Sequence, residues 1–584
     1  MGAVVSSLQQ NPVFVVAALV TLYLAYRALL PRPIPGIPYN RGAAKSILGD
    51  VPEMVRYVMR TKLIYCWLTS LTVRHQSPIV QVFVNIGSLP WVVVTDPYES
   101  QDILLRRTKE FDRSGFFGDV VGGILPEQHI SYLSTDPHFK NQRALINHLM
   151  APTFVTTILG PRLYQSASTM IRVWKRKCEL ANGRPFKAHH DIVYMALDTI
   201  FMAMFGHPEE ESITTKRLLA MEDFVPPKTE NSNLDDVMEF PEPPLADVFA
   251  AALTLGDSLT DVQMSPAPRL TSWVLRQFPY MKKAIATKDK YIHDRVLENV
   301  ALIEEAERTG TREEPRTALH SVLLRERDMA AKEGRPPAYT KRGIADEFFG
   351  FMIAGHDTSA TTAAWGVKYL ADNPQVQDRL RANLRAAFPE AAREGRAPTY
   401  AELSSALAHA QLPYLDAVIE EILRHANTIA FVVRRAQCDT TVLGRHIPKG
   451  TDVFFAANGA YYLQPGMKVS DDERSPGARS GKPGLTGLWD DADCGEFKPE
   501  RWLKKDDEGK EVFDPLAGPT LAFGLGQRGC FGKRFALHGL KIQFALMIWH
   551  FELLKTPADL SGYDAVQRFA REPKQCYVRL KLVE

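Results

Sequence analysis

The chain has 584 residues, of which 45% are hydrophobic and 24% are charged, and its formal net charge at pH 7 is +2. This composition is typical of globular proteins and excludes wholesale disorder. Because the net charge is small, the chain lacks the basic field that nucleic-acid binding needs, and we predict no nucleic-acid partner. The six cysteines include no C-x-x-C pair, which argues against a disulfide framework and against a zinc knuckle.

The N-terminal segment has no charged residue from Gly2 to Tyr26 and is almost wholly apolar from Val13 onward. Extended to Leu30, it has the length that crosses a bilayer, so residues 1–30 are predicted to be a transmembrane anchor in contact with membrane lipid. A cleaved signal peptide is the alternative. However, no Lys or Arg precedes the apolar run, and no clear small-residue cleavage site follows it.

The residues after this span predict where the body of the protein lies. Cations cluster directly after the apolar run, at Arg27, Arg32, Arg41 and Lys45. The positive-inside tendency therefore places the body on the cytosolic side. The sequence also lacks an Asn-x-Ser/Thr acceptor, as expected for a body that never enters a glycosylating lumen. We expect a single-pass protein of the endoplasmic reticulum membrane.

Residues 31–38 are rich in proline, whose fixed φ angles predict a stiff hinge after the anchor. No internal repeat or long linker divides the remainder, so residues 39–584 are predicted to be one large domain. Runs of β-branched residues at Ile79–Val84 and Trp91–Val94 predict a hairpin, and Thr440–Phe455 predicts a second. Helical spacing dominates elsewhere, most clearly over Ile344–Leu370, Pro374–Phe388 and Leu415–His425. The predicted fold is mainly α with a small β region.

Two charged stretches, Asp223–Pro244 and Ser470–Asp493, contain prolines and few apolar residues. Segments of this composition cannot bury much apolar surface, so both are predicted to be mobile surface loops. Neither contains a pattern that indicates chemistry.

The segment FGLGQRGCFG, residues 523–532, carries the pattern G-x-G-x-x-G and therefore could bind a dinucleotide. Only about fifty residues follow it, too few for the repeated βαβ units of such a domain. The segment fits a thiolate-binding loop better. Its glycines would let the backbone pass close under a flat porphyrin and let amide N–H groups point at the sulfur of Cys530.

The same segment resembles the signature F-x-x-G-x-R-x-C-x-G of the cytochrome P-450 superfamily, which is matched at Phe523, Gly526, Arg528, Cys530 and Gly532. The resemblance implies the P-450 fold and a heme b cofactor whose iron takes an axial thiolate from the cysteine. It also implies that the arginine binds a haem propionate and that the phenylalanine shields the sulfur from water. On this basis the large domain is a haem-thiolate catalytic domain.

Two further elements match the family. Glu421 and Arg424 lie three residues apart on one helix face, a spacing that is more often a surface ion pair. By resemblance to the family's E-x-x-R helix, they join Arg501 of the FKPERW segment in a buried charge network that fixes the cysteine loop. Removing one member would leave a buried charge without its partner.

The stretch Ala354–Ser359, AGHDTS, interrupts an otherwise apolar helix. From the residues alone, Thr358 could be a helix-wall residue whose hydroxyl bonds a carbonyl one turn back and bends the helix. The stretch also resembles the family's A-G-x-D-T element. That resemblance implies a groove for dioxygen, with Asp357 and Thr358 as the acid–alcohol pair that delivers protons for O–O cleavage.

By position in the family pattern, Arg434 and Arg143 are further candidates to bind a haem propionate. Arg434 follows the E-x-x-R helix. Arg143 ends the segment FKNQR, which resembles the family's W-x-x-x-R element with Phe139 in place of Trp. This departure from the family's element removes an indole N–H donor.

The resemblance implies a monooxygenase that inserts one atom of dioxygen into a lipophilic small molecule. Electrons would come from a separate NADPH-cytochrome P-450 reductase, because the chain shows no flavin or nicotinamide domain. The alternatives are a redox-neutral haem-thiolate isomerase or dehydratase, and a non-catalytic haem-binding sensor. Asp357 and Thr358 favour oxygen activation. The anchor and insertions resemble microsomal enzymes of fungal secondary metabolism, and apolar pocket linings are expected at Phe116, Phe117, Phe351, Ala354 and Ile429–Val432.

Overall fold

A computed structural model describes residues 12–226, 233–311 and 313–583. The first part of the predicted anchor, residues 1–11, and six residues of the first predicted loop, 227–232, lie outside the described residues. The chain divides into two compact units. The first comprises the residues up to Ser114 together with Phe431–Leu485, and the second comprises Gly115–Ala430 and Thr486–Glu584.

The first unit combines helices with a five-stranded sheet. Its helices are α1 Pro12–Leu29, α2 Val51–Thr61, α3 Ile64–Arg74 and α4 Pro97–Leu105. Its strands are β1 Ile79–Val82, β2 Trp91–Val94, β3 Phe111–Arg113, β5 Phe431–Ala436, β6 Thr440–Val442, β7 Arg445–Ile447 and β8 Asp452–Ala456. The five-stranded sheet has the order β1-β2-β8-β5-β3, and β6 pairs with β7.

The first predicted hairpin is confirmed, because β1 and β2 pair antiparallel with Ile79 opposite Val94. The second prediction, Thr440–Phe455, is only partly correct. Strands β6 and β7 form an antiparallel hairpin, but β8 leaves it and joins the large sheet between β2 and β5. The chain turns there at Gly450, whose φ of +91° is a conformation that favours glycine.

Helix α1 lies within the predicted anchor, and its described side chains from Val15 onward are exposed. Among the described residues, no helix is both long and apolar enough to cross a membrane. The proline-rich stretch that follows is held on the first unit. Ile34 and Ile37 are buried, and the Gln81 side-chain amide donates to the carbonyl oxygens of both.

The second predicted loop is attached to the first unit through residues 470–485. Arg474 forms a buried ion pair with Asp96 at 2.7 Å, and the backbone N–H of Ser475 donates to Glu99 at 2.8 Å. The expectation of a mobile loop considered only apolar burial. The segment is instead held by charged groups, which low hydrophobicity does not reveal.

The second unit is mainly helical. Its α-helices of five residues or more are α5 Gly115–Val121, α6 Pro137–Ile146, α7 Gly160–Ala181, α8 His189–Phe205, α9 Ile213–Ala220, α10 Asp247–Gln263, α11 Pro268–Leu275, α12 Pro279–Thr309, α13 Ala318–Glu333, α14 Arg342–Asp372, α15 Pro374–Ala387, α16 Pro389–Arg393, α17 Tyr400–Ala408, α18 Pro413–Ala426 and α19 Lys533–His550. Its strands are β4 Phe186–Lys187, β9 Leu503–Lys505, β10 Glu511–Phe513, β11 Phe551–Leu554, β12 Ala565–Gln567, β13 Arg571–Pro573 and β14 Tyr577–Leu582.

Helix α14 runs through the core of this unit and packs against α8 and α18. Phe348, Phe349 and Trp365 on this helix are fully buried. The three helices that the sequence predicted most clearly, α14, α15 and α18, are all present, with ends within two residues of the expected positions. The mainly helical prediction is therefore confirmed.

The first predicted loop is also packed where it is described. Met238 is buried and bridges to Phe186 of β4, and Phe240 packs edge-on against the same ring. Glu242 forms ion pairs with His190 and Arg217. As in the other insertion, a few apolar and charged side chains attach the segment to the rest of its unit. The average composition of the segment does not reveal these individual contacts.

Candidate haem-thiolate site

A tight loop positions Cys530 just before α19. The loop is closed by two backbone hydrogen bonds, from Cys530 N–H to the Phe523 carbonyl at 2.7 Å and from Gly529 N–H to the Gly526 carbonyl at 2.9 Å. Gly524 and Gly526 have φ of +61° and +69°, in the left-handed region that non-glycine residues rarely adopt. Gly524 and the signature residue Gly526 are thus needed for the loop's shape.

Cys530 is exposed, whereas Cys494 and Cys576 are buried. Desolvation by the surrounding protein raises the pKa of the Cys530 thiol. Hydrogen bonds from the amides of Gly532 and Lys533, and nearby positive charges, lower it. Amides at the start of a helix favour an anion, so this position suits a thiolate that binds a metal.

Two of the predicted propionate ligands lie beside this loop. Arg528 donates to the Tyr132 carbonyl at 2.8 Å, and its guanidinium lies 4.2 Å from the centre of the Phe139 ring. Arg143 lies 4.6 Å from the centre of the Phe531 ring, and desolvation lowers its pKa. Both cations are therefore held by aromatic rings next to the cysteine.

Arg434 belongs to the first unit, where it is buried on β5 and donates to the Val433 carbonyl. Its predicted role toward a propionate stays a prediction. The expected pocket lining is similarly divided, because Phe431 and Val432 belong to β5 while Phe351 and Ala354 belong to α14.

Sequence reasoning passed over His129, a basic residue beside the same loop. Its Nδ1 lies 2.7 Å from an oxygen of the fully buried Glu347, and its backbone N–H donates to the other oxygen at 2.7 Å. Its ring centre lies 6.1 Å from that of Phe531. A lone histidine has no characteristic spacing. The sequence offered one indirect signal, the acidic residue Glu347 in an apolar stretch near the start of α14. It does not show which residue is the partner of Glu347.

One face of α14 points toward the cysteine loop. Phe351 stacks on Phe531 with ring centres 5.3 Å apart, and Ala354, one turn further on, is exposed. Residues three and four apart share a helix face, so Thr358 lies on it too. Its hydroxyl donates to the Ala354 carbonyl at 2.7 Å, which is the bond that the helix-wall interpretation predicts.

Asp357 points to a different face of the same helix. Together with Ile353 and His356 it lines a separate cavity, and its Oδ2 is buried with no hydrogen-bond partner among the described residues. Burial raises the pKa of Asp357 to about 6. The acid and the alcohol are thus adjacent in sequence, but their side chains diverge.

The predicted charge network is present as a set of contacts. Glu421 accepts from Arg424 at 2.7 Å, from Arg501 at 3.2 Å and from the Trp502 indole at 2.9 Å. Burial alone would raise the pKa of Glu421, but hydrogen bonds from Arg424 and His425 hold it well below its usual range.

The network reaches the segment before the cysteine loop. Arg424 donates to the carbonyls of Cys494 and Glu496, and both arginines of the network lie over the ring of Trp489. The Trp489 indole in turn donates to the Pro519 carbonyl. The direct partners of the network therefore lie upstream of the loop itself.

These residues suit a flat, anionic prosthetic group. Cys530 is exposed and its sulfur is held by amides, the face of α14 that carries the exposed Ala354 points toward its loop, and Arg143 and Arg528 supply positive charge beside the cysteine. A haem needs this combination of donors, namely a soft anionic ligand for iron and guanidinium groups for its propionates.

Comparison with a solved structure shows which fold these elements form. The structure entitled "Crystal structure of cytochrome P-450DA heme domain" matches 95% of this chain and 99% of its own, with a TM-score of 0.64 and 17% identity. The fold is therefore the P-450 fold. The family model "Cytochrome P-450" matches residues 69–462 and 488–578, and the chain belongs to this family.

Two fungal relatives span nearly the whole chain. "Cytochrome P-450 monooxygenase TRI13" of Fusarium sporotrichioides is 36% identical over 96% of this chain and 98% of its own. "Cytochrome P-450 monooxygenase GME11363" of Pestalotiopsis microspora is 36% identical over 98% and 99%. The chain is accordingly an oxygen-incorporating oxidoreductase with a haem iron ligated by a cysteine thiolate.

Proposed function

We propose that Cys530 supplies the thiolate and that the enzyme inserts one atom of dioxygen into a lipophilic small molecule. The observation that carries the assignment is the exposed Cys530, whose sulfur is held by two amides in the loop toward which one face of α14 points. Bound haem supplies the iron centre at which dioxygen is activated. The aromatic and small apolar residues of this face, Phe351 and Ala354, support an apolar substrate.

The chain's own contribution to the chemistry is proton supply. Burial raises the pKa of Asp357 to about 6, so its carboxyl group can both hold and release a proton near neutral pH. Thr358 lies beside it on the face toward the cysteine loop, and its hydroxyl oxygen can relay a proton there. Because the two side chains diverge, we propose that a water molecule or a rotation of Asp357 connects them. A redox-neutral reaction would not need this pair.

The partner and setting are part of the same proposal. Electrons come from an NADPH-cytochrome P-450 reductase, and residues 1–30 hold the enzyme on the endoplasmic reticulum membrane with its body in the cytosol. The support is the apolar run up to Leu30 and the cations after it. We place the enzyme in fungal secondary metabolism, and its similarity over nearly the whole chain to two fungal monooxygenases supports the fungal monooxygenase part of this proposal.

The test of the ligand is Cys530→Ala. The reduced carbon monoxide complex of the wild type should show the strongly red-shifted Soret band of a haem-thiolate, and the variant should bind little haem or lose that band. Cys438→Ala is the matched control, because Cys438 is also an exposed free thiol. Persistence of the band in Cys530→Ala would overturn the assignment. NADPH-dependent oxygen uptake with added reductase tests the redox partner, and metabolite profiling with and without the enzyme identifies the substrate.

A further inference from the structure

The cavity that Asp357 lines has a volume of about 520 Å³ and lies on a different face of α14 from Thr358. Its walls come from α8, α10, α14 and the β12–β13 hairpin. Unlike the face with Ala354 and Thr358, this cavity is lined by many ionisable side chains. The family resemblance assigned none of them except Asp357.

Three of these groups form a chain from solvent toward Asp357. The side chain of Asp257 is 69% exposed and that of Arg568 is 51% exposed, whereas that of Glu572 is only 9% exposed. Arg568 joins the other two, with Nη1 3.2 Å from Asp257 and Nε 3.5 Å from Glu572. The buried Oδ2 of Asp357 lies in the same cavity. Exposure thus falls step by step from the surface to α14.

We propose that this cavity is the path by which protons reach Asp357, with Glu572 as the carboxyl group that reprotonates it and Arg568 as a positioning residue. This inference rests on the proton-supply role of Asp357 proposed above. Asp257 is placed at the solvent end of the path, and water in the cavity spans the intervals between the carboxyl groups.

The transfer balances without any redox step. When Asp357 releases its proton toward Thr358, it becomes a carboxylate. Glu572 then breaks its O–H bond and passes the proton through cavity water to an oxygen of Asp357. The resulting Glu572 carboxylate takes a proton from solvent at the mouth of the cavity. One proton moves inward and no electron moves.

The electrostatics of the cavity agree with this sequence of events. Burial, with a contribution from the charge of Asp357, raises the pKa of Glu572 to about 7, and burial raises that of Asp357 to about 6. Two acids whose pKa values lie close together exchange a proton without a steep energetic cost, and both change charge near neutral pH.

The other groups around the cavity do not replace Glu572. Burial lowers the pKa of His189 to about 4 and also lowers that of His356, so both are neutral near pH 7. His190 is paired with Glu242. The remaining charged lining residues are cations, namely Lys187, Arg568 and Lys574. Among the described lining residues, Glu572 is therefore the acid best placed between the exposed Asp257 and the buried Asp357.

The test compares Glu572→Gln with wild-type holoenzyme, using NADPH, reductase and dioxygen without added substrate. The variant keeps the shape of the side chain but cannot exchange a proton at neutral pH. We expect an unchanged carbon monoxide spectrum, water formation lower by about tenfold, more peroxide per NADPH, and a larger solvent deuterium isotope effect. Glu572→Asp should restore part of the rate. Glu552→Gln, on β11 and paired with Lys581, is the matched control and should behave as wild type.

A second readout does not depend on turnover. Infrared difference spectra of the resting holoenzyme in H₂O and D₂O should contain a protonated carboxyl band that titrates near neutral pH and disappears in Glu572→Gln. A purely structural Arg568–Glu572 pair predicts an ionised carboxylate at all pH values above the usual glutamate range. Absence of the titrating band would overturn the proposal.

A parallel Asp357→Asn variant separates this inference from the role on which it depends. If Asp357→Asn leaves peroxide release unchanged, the proposed proton-supply role of Asp357 is wrong. The proposed path through Glu572 is then wrong as well, because it leads to Asp357. If Asp357→Asn raises peroxide release and Glu572→Gln does not, only the path through Glu572 is wrong. If both raise it to the same degree and the double variant adds nothing, the two residues act in one path.

Discussion

The hydroxyl of Thr358 is the group for which a structural and a catalytic role predict different outcomes. It donates to the Ala354 carbonyl, yet it also lies on the face toward the cysteine loop. Thr358→Val keeps the β-branched shape and removes the hydroxyl. We expect haem binding to persist while water or product formation per NADPH falls by about tenfold to a hundredfold and peroxide rises.

The matched control for this prediction is Thr362→Val, one turn further along α14. Its hydroxyl makes the same type of bond, to the Thr358 carbonyl at 2.8 Å, and also contacts Thr428. This variant should lose some stability and keep normal coupling. Equal coupling in Thr358→Val and wild type would leave Thr358 as a helix-wall residue.

The raised pKa of Asp357 predicts a stability cost at neutral pH. Its folded pKa of about 6 lies above the ordinary value of 3.8, so the unfolded chain loses this proton first. Wild-type stability should therefore fall as the pH rises from about 4 to about 6. Asp357→Asn removes this dependence and should be more stable than wild type above pH 6 by about 3 kcal/mol. Denaturant unfolding at pH 4 and pH 8 measures the difference. An equal gain at both pH values would contradict it.

At the scale of elements, Glu421 joins α18 to the segment that leads toward the cysteine loop. Glu421→Gln would leave Arg424 and Arg501 as buried cations without their carboxylate. Breaking such a pair costs about 3–5 kcal/mol. We expect a lower unfolding temperature and faster loss of haem, measured by thermal unfolding and by haem transfer to an acceptor protein.

The chain offers a matched control for this network. Glu390 and Arg393 have the same spacing of three residues on α16, but both are about three-quarters exposed. Exposed pairs contribute little, so Glu390→Gln should leave stability within about 0.5 kcal/mol of wild type. Similar losses of stability in Glu421→Gln and Glu390→Gln would show that burial of the Glu421 network does not cause the destabilisation.

The network also predicts how the stability of the folded protein changes at acid pH. The pKa of Glu421 is depressed in the folded state, so its contribution to stability is complete above the ordinary glutamate pKa. It is lost as the pH falls through the lower, folded value. The stability difference between wild type and Glu421→Gln should therefore shrink below about pH 4. Unfolding measured between pH 3 and pH 7 tests this direction.

At the scale of the whole molecule, the N-terminus offers two informative truncations. Deleting residues 1–30 removes α1, whose described side chains are exposed, and should move much of the protein from membranes to the soluble fraction with an unchanged haem spectrum. Deleting residues 1–38 also removes the buried Ile34 and Ile37, and should destabilise the first unit. Loss of haem from the shorter truncation would show that α1 is part of the fold.

Much of the site could be predicted from sequence because its parts are local. The shape of the Cys530 loop depends on neighbouring glycines and on amides two and three residues away. The bond from Thr358 to Ala354 spans one helical turn. The spacing of Glu421 and Arg424 likewise places them on one face of one helix.

The partners of these local parts were not predictable, because nothing in the sequence marks which distant residues will meet. Arg528 lies against Phe139, and Arg474 of a supposed mobile loop pairs with Asp96 nearly four hundred residues earlier. Such contacts have no period and no spacing rule, unlike helix faces and strand alternation.

The sequence by itself determined the family, the ligand motif and the mainly helical fold, since each is encoded in short-range patterns that the chain must satisfy locally. Only the tertiary structure decided that the face of α14 that carries Asp357 lines a cavity with Glu572, while the face that carries Thr358 points toward the cysteine loop. The direction of a helical side chain is set by rotation of the helix about its axis, and that rotation depends on packing against α8, α10 and the β12–β13 hairpin.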